Sequence, residues 1–218
     1  KGATLRLLPD AASEAVLRLP QSIIPYYVRS LRLEERYLVA GAVLEELESH
    51  VTKRSRTFDV QYLENQFVWL SKEKEKIART KSERAKGDKL YSGGAYEEAA
   101  AQYDFCFSID ADGASNLSGG KSSGGRLHAV LRCNRAACFI ALERFHEAAT
   151  ECTEALRIHQ YYMKAILRRA RCYGKMNRHE ESIAEFKRWI DLVRKARRQP
   201  SYFSPSQSPC LFDGPDSA

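Results

Sequence analysis

The stretch Ala136-Ala137-Cys138-Phe139, followed by Phe145-His146-Glu147-Ala148 and Ala155-Leu156, returns 34 residues later. The second copy reads Ala170-Arg171-Cys172-Tyr173, His179-Glu180-Glu181-Ser182 and Trp189-Ile190. A period of this length is the signature of a unit of two antiparallel helices. The residue types have a packing reason. A small residue in the first helix (Ala136, Ala170) and another in the second (Ala148, Ser182) let the two backbones approach. Large residues (Phe139, Tyr173, Phe186) then fill the space between neighbouring pairs. One pair cannot bury its apolar face alone, so stacked pairs supply the core.

A third copy lies upstream, as Gly87-Asp88-Lys89-Leu90, Tyr96-Glu97-Glu98-Ala99 and Tyr103. Its offset to the next copy is 49 residues, from Gly87 to Ala136 and from Ala99 to Ala148. The excess of 15 falls in the Gly/Ser-rich stretch 110–126. That composition predicts a flexible insertion between two repeats, which costs little closure entropy. Residues 76–198 are therefore expected to hold three repeats.

Upstream the pattern loosens, and 21–75 is expected to hold degenerate repeat-like helices. Ser22 to Leu33 predicts a first helix and Tyr37 to Ser49 its partner, with Ala40, Leu44 and Leu47 inward. The turn between them is expected to be about two residues shorter than in the good copies. Phe58 to Leu90 predicts one long helix. Its first half carries an apolar stripe (Phe58, Tyr62, Leu63, Phe67, Leu70). Its second half, Lys72 to Lys86, is nearly all charge and is expected to meet solvent or bridge units. Residues 1–20 are expected to be a tail or the end of a truncated preceding repeat, with a helix over Ala11 to Leu19 closed by Pro20. Residues 199–218 alternate Pro and Ser and are expected to be disordered.

The chain has 218 residues, 44% of them apolar and 29% charged, which suits a globular protein. No stretch nears the roughly 20 apolar residues of a membrane span, and no signal peptide is expected. A start at Lys1 suggests a piece of a longer protein. The six cysteines form no CxxC pair, so no zinc knuckle is expected; all but Cys210 fall in helical patterns and are expected to be buried thiols. No histidine has metal-site spacing, and His146 and His179 mark the starts of second helices. Gly120-Lys121-Ser122 is no phosphate loop, because Ser115 stands where that motif needs glycine. No metal, cofactor or catalytic motif is thus expected, and the chain reads as a binder. The net charge of +7, crowded between Arg168 and Arg198, favours an acidic partner.

First helices line the inner face of such a stack. They contribute Arg84, Asp88, Asn134, Lys164 and Arg168. Lys164 and Arg168 are spaced i, i+4 and share a helix face. With Asn134 they would put two cations and an amide donor around one anion. That arrangement suits a peptide's terminal carboxylate; the alternative is an ordinary solvated polar face.

At these residues the sequence resembles TPR co-chaperones with a carboxylate clamp. The segments are Arg84-Ala85-Lys86-Gly87-Asp88, Cys133-Asn134-Arg135-Ala136-Ala137 and Tyr162 to Tyr173. More narrowly it is similar to co-chaperones that join TPR repeats to a J domain, over roughly residues 20–198. The resemblance implies an all-α TPR superhelix, a right-handed solenoid of helix-turn-helix repeats. It implies a cytoplasmic protein, with the nucleus also open to it. Its groove would grip the Glu-Glu-Val-Asp C-terminus of heat shock protein 70 or 90 with Arg84, Asp88, Asn134, Lys164 and Arg168. Arg84 stands where lysine is usual and keeps the charge. Asp88 stands where asparagine is usual, and an ionised Asp only accepts hydrogen bonds. It would repel the ligand, or pair with Arg84 at i, i+4. A J domain's His-Pro-Asp signature does not occur in these residues.

Two other readings remain at this stage. One is a TPR scaffold for an unrelated peptide, with no need of a free carboxylate. The other is nucleic-acid binding by the late basic helices. The basic helices lack the aromatic interleaving of a single-strand platform, so neither nucleic acid nor membrane is expected as a partner.

Overall fold

The computed structural model describes residues 23–54, 60–109 and 125–198. The expected features of 1–20 and 199–218, Cys210, and all of the insertion up to residue 124 lie outside them. So do Phe58 and the side chains of Tyr62, Leu63 and Phe67. The described residues form eight helices and no strand: α1 (Ile24–Leu33), α2 (Tyr37–Arg54), α3 (Val60–Ser92), α4 (Tyr96–Ser108), α5 (Gly125–Ala141), α6 (Phe145–Ile158), α7 (Met163–Lys175) and α8 (His179–Arg198).

The four pairs α1–α2, α3–α4, α5–α6 and α7–α8 each turn through the same three-residue joint. Its middle residue has positive φ: Glu35 (59°), Gly94 (82°), Glu143 (58°) and Asn177 (60°). The next residue donates its N–H back five positions: Arg36 to Leu31 (2.8 Å), Ala95 to Leu90 (3.0 Å), Arg144 to Phe139 (2.8 Å) and Arg178 to Tyr173 (2.9 Å). The positive-φ residue donates back three, as from Glu143 to Ile140 at 3.0 Å. This is a Schellman cap, which satisfies carbonyls that a helix end otherwise leaves open. The shorter turn expected between α1 and α2 is absent: Glu34-Glu35-Arg36 closes like the others. The misreading has a physical source, since Val28 stands where the later pair has Ala136 and the small-residue register is lost there.

The chain divides into two compact units at Thr80/Lys81, within α3. In the first, Val28 and Ala40 are fully buried at the places where Ala136 and Ala148 stand in a later pair. Val28, Leu31, Ala40, Val43, Leu44 and Leu47 share a core with Leu70 and Ile77 of α3. The charged half of α3 is thus not all solvated, because Ile77 and Thr80, at i, i+3, are buried within it. Arg32 is buried too, and its Nε donates to Glu73 at 3.1 Å.

The second unit stacks the end of α3 with α4, α5 with α6, and α7 with α8. Small residues meet where the repeat requires. Ala136 and Ala148 are both fully buried, and the Ser182 hydroxyl donates to the Ala170 carbonyl at 2.8 Å. Arg144 and Arg178, equivalent joint residues, each hold the glutamate three positions on and lie over the ring five positions back, Phe139 or Tyr173. These are TPR helix pairs, and the fold is an all-helical TPR solenoid.

Candidate functional site

Four of the sequence-nominated residues lie on α3 and α7, two on each, and Asn134 lies on α5; all belong to first helices of the second unit. Arg84, Asn134 and Lys164 are half-buried and Asp88 is exposed. Arg168 departs from the expectation of a solvated face shared with Lys164. It is only 2% exposed, and its Nη1 donates to the Cys133 carbonyl at 2.7 Å and touches the Cys133 sulfur at 3.0 Å. The reason is local: α5 presents small Cys133 to α7, so the guanidinium reaches the α5 backbone. It is anchored there one residue before Asn134. That juxtaposition joins the α5 and α7 parts of the proposed clamp.

Asp88 also differs from expectation. Its Oδ1 accepts from the Tyr103 hydroxyl at 2.6 Å, so the carboxylate is held by α4. Tyr103 is fully buried. Its ring lies against the α3 backbone at Gly87, where an added Cβ would stand 2.8 Å from Cε1. A glycine inside a helix is unfavourable for the helix itself; here it makes room for an aromatic ring. Burial raises the Tyr103 pKa most, and the bond to Asp88 raises it further, so the phenol stays a donor. Sequence reasoning noted Gly87 and Tyr103 only as repeat positions. Their separation of 16 residues crosses two helices, and no local rule pairs them.

The charges of α3 and α7 act on common neighbours. Arg84 and Asp88 both act on Tyr103 and Cys106, while Asp88 and Arg168 both act on Cys138. Cys106, Cys133, Cys138, Cys152 and Cys172 are buried free thiols. Burial pushes Cys106 and Cys172 up to about 11 and Cys138 up to about 12, with Arg168 opposing the rise at Cys138 and Cys172. Neutral buried thiols are poor nucleophiles. Among the described residues no group of three or more His, Cys, Asp or Glu could hold a metal ion. No helix among them is long and apolar enough to cross a membrane.

No protein-family profile matches the chain. Residues covering 39% of it are 35% identical, over 85 residues, to the TPR repeat-containing thioredoxin TTL4 of Arabidopsis thaliana, and span 10% of that protein. A 108-residue stretch, 50% of the chain, is 29% identical to DnaJ homolog subfamily C member 7 of Homo sapiens and spans 20% of it. The chain thus corresponds to a small part of either relative. Among solved structures, the second TPR of Spaghetti (RPAP3) bound to an HSP90 peptide aligns at a TM-score of 0.43 with 24% identity, covering 52% of this chain and 91% of that one.

Proposed function

We propose that this chain is the protein-binding module of a molecular co-chaperone, and that its first-helix face binds the acidic C-terminal tails of heat shock protein 70 or 90. The observation that carries the reading is the anchoring of Arg168 on α5 beside Asn134. It ties α7 to α5 one residue before Asn134 in the chain, with Lys164 one turn before Arg168 on α7 and Arg84 on α3. Charge-assisted hydrogen bonds from such a set suit peptide carboxylates. The likeness to a human DnaJ homolog supports the finer placement among co-chaperones that pair TPR repeats with a J domain. The module acts by binding and carries no reaction of its own.

Calorimetric titration with an acidic peptide ending in Glu-Glu-Val-Asp tests the proposal. Micromolar binding is expected, weakened about tenfold or more by Lys164→Ala. Equal affinities of the wild type and the variant would remove Lys164 from the site and refute the assignment.

A further inference from the structure

We infer that Asp88, positioned by Tyr103, sets the peptide specificity of this face: it selects an acidic segment that brings a hydrogen-bond donor to Asp88, and disfavours a free terminal carboxylate there. The inference rests on the peptide-binding reading and refines how an acidic tail lies on the face: its acidic side chains meet the cations, and a backbone amide, not the terminal carboxylate, meets Asp88.

The geometry fixes the chemistry. Asp88 is exposed, on the same helix as Arg84 and one turn beyond it. Its Oδ1 is taken by a hydroxyl that cannot swing away, because the Tyr103 ring is fully buried against Gly87. Among the described residues its Oδ2 accepts no hydrogen bond, so one oxygen is held and the other offered. An ionised carboxylate has no proton to donate. Opposite a ligand carboxylate it contributes like-charge repulsion; opposite an N–H it makes a charge-assisted bond. The flanking cations still attract acidic side chains. The face as a whole therefore favours negative peptides, while this one point rejects a negative terminus. Such discrimination by a placed repulsive group is how specificity differs from affinity.

The test uses one acidic peptide ending in Glu-Glu-Val-Asp, made with a free and with an amidated C-terminus, titrated into the whole chain. The wild type should bind the amidated form at least as tightly as the free form. Asp88→Asn should tighten the free form by roughly tenfold and reverse the preference. Tyr103→Phe keeps the ring against Gly87 and removes only the hydroxyl. It should shift the ratio of the two affinities with little change in helical content, a change that a purely structural role would not produce. A wild type that loses about tenfold on amidation, with the ratio unmoved in Asp88→Asn, would overturn the inference and leave the peptide-binding reading intact. Binding of neither peptide to wild type or Asp88→Asn would overturn that reading, and the inference with it.

Discussion

Gly87→Ala should destabilise the second unit, although Ala is the better helix former by about 1 kcal/mol. The magnitude follows from the contact of α3 with Tyr103. The new Cβ would lie 2.8, 3.0 and 3.1 Å from Cε1, Cδ1 and Cζ of the ring. The ring has no exit, being fully buried, with its hydroxyl bonded to Asp88 at 2.6 Å. Overpacking of this kind costs about 1–3 kcal/mol. Drawing the hydroxyl from a charged acceptor adds about 1.5–3 kcal/mol if the bond breaks outright. Set against the helix gain, the net loss should be up to about 2 kcal/mol if the bond survives and about 1.5–5 kcal/mol if it breaks. Gly41 in α2 is the control, because a Cβ there meets nothing within 4 Å. Gly41→Ala should therefore stabilise by up to about 1 kcal/mol. Since the two units need not open together, amide hydrogen exchange read separately over α2 and over α3–α4 is the suitable assay. Gly87→Ala equal to or more stable than wild type would refute the packing argument and reduce Gly87 to an ordinary helix glycine.

Three more outcomes follow. Glu143→Gly should raise the stability of the α5–α6 pair by about 0.5–1 kcal/mol by removing a side chain from positive φ, and Asn177→Gly should gain less; thermal melts of both variants check this. Arg32→Met should cost about 3–5 kcal/mol by stranding Glu73, and adding Glu73→Leu should recover part of the loss, as a double-mutant cycle would report. The buried cysteines predict alkaline sensitivity. The folded pKa values of Cys106, Cys138 and Cys172 lie above the unfolded value, so above about pH 9 the unfolded chain sheds protons that the folded one keeps. Stability should be constant below that pH and fall between 9 and about 11–12, with the five thiols alkylated only as unfolding proceeds.

The stack was legible because its determinants are periodic. Ala136 and Ala170, Ala148 and Ser182 repeat at one offset, and each small pair is buried as packing demands. The first pair was blurred because Val28 is not small; its register comes from Ala40 and the joint's backbone bonds instead. The candidate site was legible residue by residue but not in its connections. An i, i+4 rule places Lys164 beside Arg168, yet it is silent on the Cys133 carbonyl that draws Arg168 inward. The same rule offered Arg84 to Asp88, while a tyrosine from the neighbouring helix took the carboxylate. Long-range partners are chosen by which backbone lies close, and that is a property of the assembled stack.

The four identical joints also say where in this chain information is not stored. Each is closed by the same main-chain bonds, around a middle residue that is Glu, Gly, Glu or Asn, and the side chains of Arg144 and Arg178 only add to two of them. The three residues of any joint should then be exchangeable for those of another without altering the register of the helices they connect. The joints act as standard couplings, and the identity of each module is written only on its helix faces. A graft of α7–α8 from a different array onto the α6 end should be judged by face complementarity against α5 and α6, with the couplings left as they are.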